Sequence, residues 1–305
     1  DYNVSSDEDC IETIRGLMDK IGETSNAGFN RKTPSLPKRD LKDVYGVLPA
    51  ERSKPYNMKD LIKCMVDDSK IIEYKASYGK TIICAYARID GWSVGIVANQ
   101  REIVKTAKGQ MRFGGVIYSD SADKAARFIM NCNQKKIPLV FLQDVTGFMV
   151  GSKSEHNGII KDGAKMVNAM SNSVVPKFTV VVGNSYGAGN YAMCGKAYDP
   201  RLIVAWPSAE IAVMGGGAAA KVLLQIEVAS LKSKGEKITK EQENQLYNSI
   251  KSKYDKQVSP YYASARLWVD AIIDPAETRK VISLGIEMAN HNSSNEKYNV
   301  GVIQT

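Results

Sequence analysis

The sequence predicts an α/β fold in which most strands pair in parallel. Short apolar runs rich in β-branched residues alternate with longer stretches that carry apolar residues at helical spacing. Three glycine-rich turns directly follow such apolar runs. Strands that alternate with helices pair mostly in parallel, because each helix returns the chain to the same edge of the sheet. The 305 residues, 44% of them hydrophobic, suffice for a large core.

Residues 1–57 are predicted to form an interdomain linker or arm with one helix. This region is polar and rich in proline, lysine and aspartate, and only its segment 10–22 has apolar residues at helical spacing, ending at Gly22. We expect the remainder to be extended and to lie outside the core, because prolines interrupt it. The sequence changes character at residue 58, so we assign residues 58–305 to one domain.

A β-hairpin is predicted near the start of this domain. The apolar runs 81–89 and 92–99 are joined by Asp90-Gly91, a dipeptide that strongly favours tight hairpin turns. The other elements are predicted from the same alternation. Helices are expected at 58–67, 121–136, 159–173, 190–198, 217–229 and 239–257, and strands at 137–144, 175–183, 201–207 and 210–214.

Charge and composition argue against several classes of protein. A formal charge of +8 fits either a solvated lysine-rich surface, densest at 230–242, or attraction to anionic ligands such as the phosphates of CoA. No aromatic–basic or recognition-helix pattern indicates nucleic acid binding, and no apolar run is long enough to insert into a membrane. Because the first residue is not Met, we expect a processed or partial chain.

Side chains suited to catalysis or metal binding are few. Five scattered cysteines without a C-x-x-C pair predict a reducing compartment and buried thiols, with Cys194 inside a helix. The two histidines lie far apart, which argues against a metal site, and His156 has no evident partner in the sequence. Ser185 lacks the G-x-S-x-G context of a hydrolase nucleophile. Surface or capping roles are expected for the apparently isolated carboxylates, which are Asp144, Glu155, Asp162 and Glu210.

The three glycine-rich turns are therefore the candidate site. They occupy 144–151, 183–191 and 214–220, each directly after a predicted strand. Helix N-termini carry unpaired N–H groups, and glycines allow a ligand oxygen to approach them closely, so such a turn can stabilise an oxyanion. The same glycines could instead serve only tight strand–helix turns. No turn matches G-x-G-x-x-G or a Walker loop, and spacing alone does not identify the ligand.

Three segments resemble the carboxyltransferase (β) subunits of biotin-dependent acyl-CoA carboxylases. These are IPLVFLQDVTGFMVG (137–151), SYGAGNYAMCGKAYDPR (185–201) and PYYASARLWVDAIIDPAETR (260–279). They are most similar to the methylcrotonoyl-CoA branch, whereas the propionyl-CoA branch has an Asp shortly after its glycine turn, where this chain has Tyr191. The resemblance runs from about residue 43 to about 290, is weakest over 231–258, and covers only the linker and C-terminal half of such subunits.

The resemblance implies a crotonase-like superhelix of ββα units and a site built from backbone groups. It implies that the N–H groups of Ala188 and Gly189 form an oxyanion hole for the ureido oxygen of biotin, with no general base from the protein. The implied residues of the biotin pocket are Gly147, Phe148, Tyr186 and Gly187. Gly215 and Gly216, in the turn before the next helix, are placed on the substrate side, and no metal is implied.

The implied activity is carboxyl transfer from carboxybiotin to an acyl-CoA such as 3-methylcrotonoyl-CoA, in leucine degradation. The resemblance also implies a biotin carboxylase and biotin carrier (α) subunit as partner, and assembly with further copies of the chain, as a hexamer in the full-length family. Without the N-terminal half, we expect the chain to be inactive by itself. The protein would lie in the cytoplasm of a bacterium or in the mitochondrial matrix of a eukaryote.

Two alternatives to the carboxylase stay open. The first is the carboxyltransferase subunit of a biotin-dependent decarboxylase of the glutaconyl-CoA or methylmalonyl-CoA type, which uses the same chemistry in reverse. The second is a non-catalytic assembly module with the crotonase fold, which should not respond to biotin.

Overall fold

The computed structural model describes residues 2–20, 25–51, 54–106, 109–234, 239–294 and 296–301. Over these residues, an eight-stranded sheet lies between two layers of helices. The α-helices are α1 (Asp7–Asp19), α2 (Val44–Val47), α3 (Met58–Met65), α4 (Ser119–Gln134), α5 (Ser152–His156), α6 (Ile159–Ser171), α7 (Gly187–Ala192), α8 (Gly216–Ser233), α9 (Lys240–Gln257), α10 (Pro260–Ser264) and α11 (Thr278–Asn290). The strands are β1 (Ile72–Glu73), β2 (Ile82–Ile89), β3 (Trp92–Asn99), β4 (Val104–Lys105), β5 (Met111–Arg112), β6 (Val116–Ile117), β7 (Leu139–Val145), β8 (Gly147–Phe148), β9 (Lys177–Tyr186), β10 (Leu202–Ala205), β11 (Glu210–Ala212) and β12 (Ala271–Ile272).

The main sheet is largely parallel, as the alternation of strands and helices predicts. Its order is β1-β2-β3-β7-β9-β10-β12, and the five strands from β3 to β12 run parallel to one another. Strand β11 also pairs in parallel with β9, beyond the point where β10 ends. The carboxyl ends of β7, β9 and β11 therefore lie at one edge of the sheet, where ligands bind in many α/β proteins.

The predicted hairpin is confirmed between β2 and β3. The two strands pair antiparallel from Ile89↔Trp92 outward, with Asp90 and Gly91 between them. Both turn residues have positive φ angles, 52° and 81°, which is the conformation that a two-residue type I′ turn requires.

Alternating side chains of the sheet supply two separate cores. One face packs against α3 and α11, through residues such as Leu61, Ile96 and Ile286. The opposite face packs against α4 and α6, through residues such as Phe141, Phe128 and Met166. Because the strands in the middle of the sheet are covered on both faces, their sequences read as continuous apolar runs.

Part of the segment expected to lie outside the core packs into it. Val44 is 2% exposed within the α3–α11 layer, and the buried guanidinium of Arg279 donates to the carbonyl oxygen of Ser35 at 2.9 Å. Helix α1 behaves differently, since none of its residues is buried. The predicted end of the first helix, at Gly22, lies outside the described residues, and α1 ends at Asp19.

The helix predicted over 190–198 is wrong in its bounds. Helix α7 begins at Gly187 and ends at Ala192, and Cys194 follows it with a φ angle of 62° that a helix cannot contain. Thr179 holds this turn on the sheet by donating to the carbonyl oxygen of Cys194 at 2.7 Å. Strand β9 correspondingly extends to Tyr186, three residues past its predicted end at 183, because β11 pairs with residues 184–186.

Candidate functional site

The three glycine-rich turns meet at the carboxyl edge of the sheet. Helix α7 starts where β9 ends, and it contacts β8, which contains Gly147. A Cβ atom added to Gly189 would lie 3.2 Å from the Cα atom of Gly147. A Cβ atom added to Gly187 would lie 2.8 Å from the carbonyl oxygen of Val213, the residue directly before the third turn. The sequence thus brings these glycines together although about 70 residues separate the first from the last.

The first turn of α7 presents backbone N–H groups that its N-cap residue leaves uncapped. Gly187 has a φ angle of 49°, and this left-handed conformation turns the chain from the strand directly into the helix. Tyr186, the N-cap residue, makes no hydrogen bond from its side chain to the first turn. The first N–H groups of a helix also have no partner within the helix. Since Ala188 is exposed, a ligand can reach this turn from solvent.

Gly189 is a glycine for packing reasons. It is buried, and a Cβ atom at this position would lie 2.6 Å from Cγ2 of Val145 in β7. Two carbon atoms do not approach that closely, so only glycine lets α7 rest on β7 at this distance. The sequence predicts that the glycine admits a ligand, whereas the structure shows that its Cα faces the core.

The remaining predicted site residues divide into two groups. Tyr186 is buried beside the start of α7, and its hydroxyl donates to the carboxylate of Glu210. Gly215 faces the ring of Tyr186, because a Cβ atom there would lie 3.4 Å from that ring. Phe148 instead packs over Gly163 of α6, and Gly216 packs against Asp255 of α9. The structure therefore gathers Gly147, Tyr186, Gly187, Ala188, Gly189 and Gly215 near one another, with Phe148 and Gly216 backed by other helices.

The sequence interpretation of Asp144 as a surface or capping carboxylate is wrong. Asp144 is 5% exposed at the end of β7, and the guanidinium of Arg101 lies 3.3 Å from its carboxylate. The carboxylate also accepts hydrogen bonds from the Tyr56 hydroxyl at 2.8 Å and from the Asn184 N–H at 2.9 Å. Burial first, and then the charge of Asp144, raise the pKa of Tyr56 well above its ordinary value. Asp144 thus ties a distant part of the chain to the end of β9.

A second buried polar group, missed in the sequence, lies directly under α7. Gln143, Ser185 and Asn190 form this group, which we call the amide network. The signal was present, because Gln143 follows four apolar residues in a buried strand, and a buried polar side chain is informative. Its partners could not be identified, since Asn190 is 47 residues away in sequence.

Ionisable side chains near the turns are poorly suited to covalent catalysis. Burial raises the pKa of the Cys194 thiol to about 11 and that of the Cys84 thiol to about 12, so both stay protonated at neutral pH. His156 is exposed on α5, and Asp162 pairs with Lys165 at 3.0 Å. Across the described residues, no three His, Cys, Asp or Glu side chains group as metal ligands would, and no helix there could cross a membrane. The backbone N–H groups are therefore the main candidates for binding or stabilising a ligand at the carboxyl edge of the sheet.

Comparison with known proteins identifies relatives of the whole chain. The model of the carboxyl transferase domain family matches residues 1–300. Over 291 residues the chain is 43% identical to the biotin-dependent 3-methylcrotonyl-coenzyme A carboxylase beta1 subunit of Mycobacterium tuberculosis, covering 95% of this chain and 52% of that relative. The chain thus spans about half the length of the curated relatives it matches.

Solved structures give the same picture. The beta subunit of the geranyl-CoA carboxylase of P. aeruginosa superposes with a TM-score of 0.77 at 34% identity, covering 99% of this chain and 55% of that one. The transcarboxylase 12S subunit superposes with a TM-score of 0.73 at 34% identity, covering 97% of this chain and 54% of that one. Carboxyltransferase subunits of this kind have a crotonase-like fold, so the fold expected from the sequence is confirmed.

Proposed function

This chain belongs to the carboxyl transferase domain family, and from that premise we propose that it binds carboxybiotin and transfers its carboxyl group to an acyl-CoA. The observation that carries the proposal is the first turn of α7, which is reachable from solvent and is not capped by Tyr186. Its backbone N–H groups are neutral donors that point outward from a helix N-terminus, and such donors suit an oxygen on which negative charge develops.

The residues around this turn fit the ureido group of biotin. When bound, carboxybiotin supplies the carboxyl group, and its ureido oxygen needs stabilisation as that group leaves. We assign the two donors to the N–H groups of Ala188 and Gly189. Gly147 is half-buried and has nothing within 4 Å of an added Cβ atom, so it leaves room for the rings, and we assign the neighbouring Gly187 to the same pocket. Removing one donor of an oxyanion hole typically costs about 10² to 10³ in rate, so two donors account for a large part of the catalysis.

The other half of the site comes from outside this chain in our proposal. Residues 1–57 then form the linker and 58–305 the C-terminal carboxyltransferase domain, and the acyl-CoA is bound mainly by the half that the relatives have in addition. A biotin-carrying subunit would deliver the cofactor, and a hexamer is the expected assembly, as for the transcarboxylase 12S subunit. An acyl-CoA like 3-methylcrotonoyl-CoA is the favoured substrate, because a 3-methylcrotonyl-CoA carboxylase subunit is 43% identical.

An Ala188→Pro substitution in the complete enzyme tests the proposed role of this turn. Proline is tolerated in the first turn of a helix and lacks an N–H group, so the variant removes one donor and keeps the helix. We expect carboxyl transfer to fall by about 10² to 10³ with no comparable loss of stability. Glu241→Pro is the matched control, because Glu241 occupies the same helix position at the exposed start of α9. Full activity of the Ala188→Pro enzyme would contradict the assignment.

A further inference from the structure

We propose that Gln143 is a positioning residue that sets the direction of the α7 backbone donors, an inference that rests on the function proposed for that turn. Gln143 is fully buried at the end of β7, so it touches no ligand itself. Its Nε2 atom donates to the carbonyl oxygens of Met193 at 2.8 Å and Asn190 at 3.4 Å. One side-chain amide therefore holds the end of α7 and the turn that follows it.

The other two members of the amide network, Ser185 and Asn190, connect the end of β9 to α7. Ser185, in the last part of β9, donates from its hydroxyl to Oε1 of Gln143 at 2.6 Å. Asn190, inside α7, donates from Nδ2 to the same hydroxyl oxygen at 2.7 Å. The side chain of Asn190 is confined in turn by Gly195, because a Cβ atom on Gly195 would collide with its Oδ1 atom. The network thus links Ser185, which precedes the donors, and Asn190, which directly follows them, to the buried side-chain amide of Gln143.

Helix α7 depends on such a support because it is short. It has six residues, and a helix of that length has little stability of its own. The pairing of β7 with β9 also shifts register between Gln143 and Val145, so on the β7 side the strand pairing is irregular just before the helix. A donor that is misplaced by about 1 Å can cost about 10² in rate, and hydrogen bonds weaken steeply with misalignment. The amide network therefore acts on the reaction through Ala188 and Gly189.

Asn133 serves as a control for Gln143, because it is also a buried side-chain amide but lies away from the glycine-rich turns. It is 3% exposed, donates from Nδ2 to the carbonyl oxygen of Ile129 at 2.8 Å, and accepts from the Val174 N–H at 2.8 Å and the Ser173 hydroxyl at 3.1 Å. This amide lies before the start of β9, at the opposite edge of the sheet from the glycine-rich turns. Losing either amide leaves buried polar partners unsatisfied, so both losses should reduce stability.

The test compares Gln143→Met and Asn133→Leu in the 305-residue chain. The measurements are the free energy of unfolding, the hydrogen-exchange rate without ligand of the Met193 amide, which donates to the carbonyl oxygen of Gly189 at 3.0 Å, and the dissociation constant of biocytin from an NMR titration. We expect comparable destabilisation from both variants. Only Gln143→Met should speed exchange at the Met193 amide, because it loosens α7, and weaken biocytin binding, because it misplaces the donors, each by about tenfold or more.

Equal effects of the two variants on exchange, or wild-type exchange in Gln143→Met, would overturn the proposal. If Gln143→Met does not fold, Ser185→Ala takes its place, because it removes a single hydroxyl from the network, and the same comparison with Asn133→Leu decides. A wild-type chain that does not bind biocytin would contradict the proposed function, whereas the exchange comparison would still decide whether Gln143 positions α7.

Discussion

Strand β9 ends in two contrasting ways. Before its first residue, the side chain of Asn133 accepts from the N–H group of Val174, and that first residue, Lys177, directs its buried ammonium to the carbonyl oxygen of Met170. Beyond its middle, Asp144 binds the N–H group of Asn184, and Gln143 supports the helix that follows. Both ends are buried and both are tied by side chains. The second end leads into a helix whose first turn is not capped by the side chain of Tyr186 and is exposed at Ala188.

The two ends of β9 differ in where their buried polar side chains lie relative to the backbone. At the start of β9, buried polar side chains form hydrogen bonds with backbone groups. These bonds stabilise the fold and leave those backbone groups unavailable to a ligand. At its end, the polar side chains lie beneath the turn and not on it, so they fix the geometry while the donors remain available. Such preorganised donors cost no rearrangement when charge develops on a ligand.

The largest effect should come from breaking the Asp144 ion pair. Asp144→Ala removes the carboxylate that lies 3.3 Å from the nearly buried guanidinium of Arg101. Removing one partner of a buried pair typically costs about 3 to 5 kcal/mol, and we expect that range in chemical denaturation. Glu12→Ala, which breaks the exposed pair with Arg15, is the control and should leave stability unchanged. A loss as small for Asp144→Ala as for the control would show that the end of β9 does not need this carboxylate.

A smaller effect is expected from adding one methyl group under α7. Gly189→Ala places a Cβ atom 2.6 Å from Val145, and overpacking of this kind costs about 1 to 3 kcal/mol. Combining it with Val145→Ala makes room for the new methyl group, so the double variant should lose less stability than the two single losses added together. Strict additivity, measured in a double-mutant cycle, would mean that Gly189 does not pack on Val145.

The smallest effect should appear at the start of β9, as a dependence on pH. Burial lowers the pKa of Lys177, so the folded chain releases this proton at a lower pH than the unfolded chain. Between the lowered pKa and the ordinary lysine value of about 10.4, the unfolded state binds more protons, and stability therefore rises with pH. Lys177→Met removes this contribution. The free energy of unfolding should then rise less between neutral pH and pH of about 10 than in the wild type. A steeper rise in the variant would reverse the sign and exclude the burial effect.

Features set by residues close together in sequence could be predicted, whereas features set by distant residues could not. The hairpin at Asp90-Gly91 and helices such as α3 and α9 were predicted, because periodicity and turn residues are local signals. The glycine-rich turns were found for the same reason. The bounds of α7 were not, because strand pairing with β11 extends β9 by three residues.

The supports of the candidate site were missed because their partners are distant in sequence. Asp144 is 88 residues from Tyr56, and Glu210 is 24 residues from Tyr186, so each looked isolated. Val44 was likewise placed outside the core, although it packs inside it. A single sequence shows which residue types are unusual at their positions, but it does not show what they touch.

The most direct measurement of the central claim is an NMR titration of the 305-residue chain with biocytin, with CoA titrated separately. We predict that biocytin shifts the amide signals of Ala188 and Gly189 and few others, because our proposal assigns these N–H groups to the ureido oxygen. CoA should leave both signals in place, since our proposal places its main contacts in the half that the relatives have in addition. Unchanged Ala188 and Gly189 signals in a folded chain saturated with biocytin would contradict the account.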